Sequence, residues 1–200
     1  MTKLDAVNEL LMRTGGLPVT ALDTGGASQA SIAERFIDRA EIEVQGEGWH
    51  YNTLRGVEIT LDADGYAHLP DGVIRMDADG EDSGTDTAQV GRRLYDLDPE
   101  ANGFDLGSAG DTLSTEQIVR YEFGCIPEYV QILIVSTALC RFNASYGDRR
   151  RQRELDADHV LARTRARRQE AEHGDFNILN TEHARAVRGQ RTNPDAGDAP

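Results

Sequence analysis

Cysteine is nearly absent from this chain: Cys125 and Cys140 are the only two among 200 residues. A disulfide framework is therefore not what holds the fold, and a reducing place of synthesis fits. Aromatic residues are also scarce at 6%, with Trp49 the single tryptophan, so the core is modest. No apolar run approaches the length of a membrane span. The richest stretch, Ile126 to Cys140, is interrupted by Glu128, Gln131, Ser136 and Thr137 and reads as a buried helix. The start of the chain carries no signal-peptide pattern. Positive charge is short, with 21 Lys and Arg against 35 Asp and Glu, and the net charge of −14 argues against duplex DNA as the main partner.

The motifs of chemistry are missing too. His50, His68, His159, His173 and His183 are scattered, and no metal-ligand spacing appears. Asp77-x-Asp79-x-Glu81 begins like a calcium loop, but the sixth position is Asp82 instead of glycine and the twelfth is Ala88 instead of glutamate. Gly46-Glu47-Gly48 follows a predicted helix where a phosphate loop would follow a strand, and no Gly-Lys-Ser/Thr or Gly-x-Ser-x-Gly occurs. No catalytic, cofactor-binding or metal residue is nominated. Abundant carboxylates leave one enzymatic alternative open, a glycoside hydrolase acting on cell-surface polysaccharide, though no particular pair stands out.

What is present is pattern. Thr2-Lys3-Leu4-Asp5 has the form of a capping box, and Leu4, Val7, Leu10 and Leu11 follow at helical spacing until Gly15-Gly16. Ser28 or Ser31 can cap a second helix from about Ala30 to Gln45, with Ile32, Ala33, Phe36, Ile37, Ala40 and Val44 on one face. From Arg55 the period becomes two. Asp62-Ala63-Asp64-Gly65 and Asp77-Ala78-Asp79-Gly80 read as hairpin turns, the first returning through Tyr66–Leu69. Gln89–Tyr95 and Gln117–Phe123 are further strand candidates, with a long Asp-, Gly- and Ser-rich excursion between them.

Pro127 suits the first position of an apolar helix, and Tyr146-Gly147-Asp148 breaks it. A long polar helix is predicted from about Arg149 to His173, with Leu155, Val160 and Leu161 as a thin apolar face. Charge is unevenly placed. Residues 54–116 hold fifteen acids against four Arg, a net of −11, whereas residues 148–191 hold eleven Arg against eight acids, a net of +3. The basic clusters are interleaved with acids at spacings that allow intrahelical pairs, and they lack the aromatics of a nucleic-acid reader. A salt-bridged surface and a partner-binding surface both remain open for Arg163 and Arg167.

Strands and helices in blocks indicate an α+β fold. Residues 1–53 and 124–174 are expected to form an antiparallel helical bundle, with 54–123 as an inserted β domain and 175–200 as an extended tail. Phe176, Ile178 and Leu179 are apolar residues in that otherwise polar tail. Trp49, at the junction, is expected to pin the β insertion to the bundle.

Several weak matches in order point to one family. Leu4-Asp5-Ala6-Val7-Asn8-Glu9-Leu10-Leu11, Gly16-Leu17-Pro18-Val19, Gly48-Trp49-His50-Tyr51-Asn52, Ile126-Pro127-Glu128 and Phe176-Asn177-Ile178-Leu179 resemble the tail tubular protein A family. These are head-to-tail adaptors of short-tailed bacteriophages. The resemblance implies a structural virion protein, assembled in the host cytoplasm, without a cofactor or a membrane span. It implies a ring of twelve copies between the portal and a nozzle of the tubular protein B type, with tail fibres near the joint and a channel through which DNA passes. Partner contacts would then fall on Arg163, Arg167, Phe176, Ile178 and Leu179. Another head-completion connector, at a different level of the stack, is the second alternative.

Overall fold

The computed structural model describes residues 1–22, 28–79, 86–98 and 103–173. Its first helix, α1 (Lys3–Arg13), starts as the sequence predicts. The Thr2 hydroxyl accepts from Asp5 N at 3.2 Å, and the Asp5 carboxylate accepts from Thr2 N at 2.9 Å. This satisfies donors that a helix start otherwise leaves open. Helix α2 (Gln29–Gly46) is capped by Ser28, whose Oγ accepts from Ser31 N at 3.1 Å. Ser31 lies inside the helix, where its Oγ donates to Ser28 O at 2.9 Å. Helix α3 (Glu128–Tyr146) follows Pro127, which stands at the N-cap, one position earlier than expected. Helix α4 (Arg149–His173) has the predicted bounds.

The four helices share one apolar core. Leu10 and Leu11 of α1, Ile37 and Val44 of α2, and Leu133, Ile134 and Phe142 of α3 are all essentially inaccessible. The apolar residues of α3 point in every direction because other helices and chain segments surround most of it. Leu155, Ala162 and Ala166 are the residues of α4 buried against this core. Val160 and Leu161 are not; they are 61% and 54% exposed. The apolar face of α4 runs 155–162–166, a helical stripe completed by small alanines that the search for large side chains passes over.

Between α2 and α3 the described residues form five strands: β1 (Thr53–Thr60), β2 (Val73–Ala78), β3 (Thr87–Val90), β4 (Arg93–Asp96) and β5 (Thr112–Val119). Both sheets are antiparallel, ordered β1-β5-β2 and β3-β4, so the α+β class holds. A second, smaller core of Leu61, Ala67, Leu69, Met76 and Leu94 lies among them.

Two strand expectations are corrected. The Asp62–Gly65 turn forms, with Gly65 N donating to Asp62 O at 3.1 Å, but Tyr66–Leu69 does not return along β1. Its backbone pairs with β4 instead, through Leu94 N to Ala67 O and Leu69 N to Arg92 O, which buries Ala67 and Leu69. The partner of β1 is the distant β5, with Thr53 opposite Ile118 and Thr60 opposite Thr112. The stretch Gln89–Tyr95 is no single strand. Val90 pairs with Arg93 around a two-residue loop whose first member, Gly91, has φ +66°. A Gly-x pair at that place is itself a hairpin signal. The segment after Val119 leaves the sheet, and Phe123–Cys125 is a turn of 3₁₀ helix. Asp77 and Ala78, expected to begin a turn, instead continue β2 opposite Glu116 and Thr115 of β5, while Gly80 and part of the excursion before β5 fall outside the described residues.

Candidate partner interface

The surfaces that helix α4 offers follow from its spacing. Residues three, four and seven apart share a face. Leu155, Ala162 and Ala166 face the core. Arg163 and Arg167 face the α2–β1 junction. Leu161, Arg165, Arg168 and Glu172 occupy the opposite side and look across α3.

The junction face is tied down by three carboxylate contacts. Glu47, the residue that ends α2, accepts from Arg163 Nη2 at 3.0 Å and from Arg167 Nη2 at 2.5 Å. The Arg167 guanidinium also lies over Trp49, 4.6 Å from the ring centroid. One turn on, Glu170 accepts from His50 N at 2.5 Å and meets His50 Nδ1 at 2.7 Å. Tyr129 of α3 reaches the same carboxylate at 3.4 Å. Burial and the Glu170 charge push the Tyr129 hydroxyl up to about 12, so it stays a donor.

Trp49 is completely buried in the helical core, and its Nε1 donates to Val44 O at 2.6 Å. It therefore belongs to the bundle. The tie to the strands is made by its neighbours. Asn52 Oδ1 accepts from Trp49 N at 2.8 Å, while Nδ2 donates to Gln45 O and Val119 O, each at 3.0 Å. Gln45, fully buried, exchanges two hydrogen bonds at 2.9 Å with the Tyr121 backbone. Gly48, at φ +75°, lets the chain turn against the sheet; a Cβ there would stand 3.0 Å from Ile118.

The other side of α4 carries a groove. A cleft of about 600 Å³ is lined by Tyr129 and Ile132 of α3 and by Ala162, Arg165 and Arg168 of α4. A second, of about 280 Å³, continues it toward Met1 and Leu161. The two share Ile132, Ala162 and Arg165 and form one trough along the α3–α4 seam. Ile132 is 45% exposed. Among the described residues no carboxylate lies within salt-bridge distance of Arg165, in contrast to Arg163 and Arg167.

Elsewhere the titratable groups serve packing. Burial raises the Glu41 carboxyl above its ordinary range, and the Arg120 guanidinium at 3.0 Å offsets part of that rise. This ion pair joins α2 to the residue after β5, beside a cleft of about 500 Å³ that Lys3 and Glu122 also line. Burial, with the nearby Asp156 charge, pushes the Cys140 thiol up to about 11, and it donates to Leu155 O at 3.3 Å; such a thiol is unreactive. Among the described residues no group of three or more His, Cys, Asp or Glu could hold a metal ion, and no helix is long and apolar enough to cross a membrane.

Of the nominated interface residues, Arg163 and Arg167 come together on Glu47, and Phe176, Ile178 and Leu179 lie outside the described residues. The α3–α4 groove was not legible beforehand. Helix α3 is apolar all round, so nothing in its pattern marks Ile132 as the residue left open.

A search of curated proteins finds no match. The tail tubular protein family model, in contrast, matches residues 4–184, which takes in the described elements except the first residue of α1, together with the first eleven residues beyond α4. The chain therefore belongs to the tail tubular protein family, structural proteins of the bacteriophage tail.

Proposed function

We propose that this protein is the adaptor subunit of a ring, of about twelve copies by family resemblance, that joins the portal of a short-tailed phage to its tail nozzle and leaves a channel for DNA ejection. The observation that carries the reading is the surface of α4. A helix of 25 residues buries only Leu155, Ala162 and Ala166 and leaves Val160, Leu161 and the neighbouring Ile132 in solvent. Such surface suits a subunit completed by assembly. The helical part, residues 1–53 and 124–174, would meet the portal, with Arg163, Arg167, Phe176, Ile178 and Leu179 among its contacts. The inserted strands, residues 54–123, would meet the nozzle and neighbouring subunits. Their net negative charge suits a passage or outer wall that must not grip DNA.

Native mass spectrometry and negative-stain imaging test this. The expected result is a ring near twelve subunits, or a monomer that forms one on meeting the portal. A strictly monomeric protein that ignores the portal would sink the proposal. Removing the residues after Gly174 is expected to weaken portal docking, and unchanged docking would refute the part assigned to the tail.

A further inference from the structure

Strand β1 is the long open edge of the inserted strands. The order β1-β5-β2 leaves β1 and β2 outermost. Side chains of β3 close the β2 edge: Gln89 Oε1 accepts from Met76 N at 3.1 Å, and Thr87 Oγ1 accepts from Ala78 N at 2.9 Å. The ladder with β5 fixes which groups of β1 point outward. Asn52 O accepts from Val119 N and Asp111 O accepts from Leu61 N, each at 2.9 Å, so hydrogen-bonded places face β5 at both ends of the strand. Alternation then sets the N–H and C=O of Arg55, Glu58 and Thr60 on the outer edge. No hydrogen bond from the described residues reaches them there. An edge of this kind is a template for another strand.

The edge is complementary to itself. The register shifts between Leu54 and Val57, where Gly56 stands at φ +65°, so β1 carries a bulge. With Gly56 and Val57 taken as one place, the strand reads Thr53, Leu54, Arg55, bulge, Glu58, Ile59, Thr60. Laid antiparallel on a second copy about a two-fold axis through the bulge, Arg55 stands opposite Glu58, Leu54 opposite Ile59 and Thr53 opposite Thr60. The faces agree as well. Arg55 and Glu58 share the side of Glu116 and Ser114, whereas Leu54 and Ile59 share that of Gln117 and Leu113. Arg55 and Glu58 are three residues apart and would stand on opposite faces of a regular strand; the bulge brings them to one. Opposite charges and apolar pairs across strands stabilise a sheet, and like charges oppose it. Arg55 is 75% exposed and Leu54 41%, so both are open to such a partner.

We infer that two copies of the free chain pair antiparallel through their β1 edges and join their three-stranded sheets into one continuous sheet. A two-fold contact uses the same patch on both copies and closes at two, whereas a ring needs two different patches. The pair is therefore a state of the concentrated free chain, from which rings form only after dissociation. It holds or fails apart from the adaptor reading.

Sedimentation equilibrium of the full-length chain over a concentration series tests this. The expected result is a monomer–dimer equilibrium without larger species. Arg55→Glu sets carboxylates against each other at both ends of the contact and should weaken pairing about tenfold or more; Glu58→Arg should do the same with guanidinium groups. An equal mixture of the two variants regains opposite charges at both places and should form a heterodimer. Glu116→Gln, which removes only the intrachain partner of Arg55, should leave the pair intact. A monomer at every concentration would overturn the inference, as would a dimer that both charge variants keep, variants that stay apart when mixed, or association beyond two. As a readout that keeps the native charges, Leu54→Cys and Ile59→Cys chains in a Cys125→Ser background should cross-link under mild oxidation faster when mixed than either does alone. Equal rates would count against the edge pairing. Portal-dependent rings from a chain that never dimerises would sink the pairing and leave the adaptor reading standing.

Discussion

The Arg167 guanidinium stacks over the Trp49 indole at 4.6 Å from the ring centroid while donating to Glu47 at 2.5 Å. One side chain of the last described helix thus holds both the end of α2 and the only tryptophan. Cation–π contacts of this kind contribute about 0.5–2 kcal/mol, more when solvent is excluded. Burial of the indole itself, which is completely inaccessible, contributes more.

Trp49→Ala is therefore expected to destabilise the protein by about 3–5 kcal/mol, the usual cost of emptying a buried aromatic site. Chemical denaturation followed by far-ultraviolet circular dichroism measures it. Trp49→Phe, which keeps much of the apolar contact and loses the bond to Val44 O, should cost distinctly less. Equal losses for the two would assign the effect to the hydrogen bond.

Asn52 is the stitch between bundle and strands. Its amide serves Trp49 N, Gln45 O and Val119 O at once. Asn52→Leu would leave all three backbone groups without that partner, and each buried group left unpaired costs about 1–3 kcal/mol. A loss above about 2 kcal/mol is expected, with hydrogen exchange rising first at the start of β1 and the end of β5. Uniform exchange across all helices and strands would contradict the local role.

The helices were readable because their signals are local. Thr2 with Asp5 starts α1, and Gly147 after Tyr146 separates α3 from α4, each within one turn of chain. The strand pairings were not, because β1 finds β5 across more than fifty residues and only tertiary packing selects it. The sharp Asp62–Gly65 turn invited a hairpin that Ala67 and Leu69 decline by burying themselves beside β4. Trp49 was recognisable as an anchor. That Asn52 and Gln45, not the indole, join the two parts depends on buried polar bonds that no hydrophobic pattern encodes. Of the interface residues, Arg163 and Arg167 could be placed on α4 by spacing, but Glu47 as their shared carboxylate comes from the far end of a different helix.

His159 gives the α3–α4 contact a pH dependence. Its Nδ1 meets Ser136 Oγ at 3.2 Å. Burial lowers its pKa below the ordinary 6.5, aided by Arg163 and Arg141, while Asp156 and Glu47 oppose the shift. The folded state thus prefers the neutral ring. The corresponding stability is present above the unfolded value and is lost as pH falls through it. Unfolding midpoints should drop as pH falls below the ordinary 6.5 toward the lower folded value, and His159→Gln should flatten that drop. The comparison isolates His159 from the other histidines, and identical slopes in the two proteins would exclude it as the source.

Arg163 and Arg167 share Glu47 but are not equivalent. Both guanidinium side chains are about half exposed, at 49% and 47%, so solvent screens the ion pairs and each contributes about 0.2–1 kcal/mol. Arg163→Ala leaves Arg167 on Glu47 and should lower stability by less than about 1 kcal/mol. Arg167→Ala also removes the contact with Trp49 and should cost more. That difference separates fold support from partner contact. If Arg163 meets the portal, Arg163→Ala weakens docking far beyond what its small stability loss explains, as measured by co-sedimentation of the adaptor with portal rings. Docking that tracks stability across both variants would confine Arg163 and Arg167 to holding α4 against the α2–β1 junction.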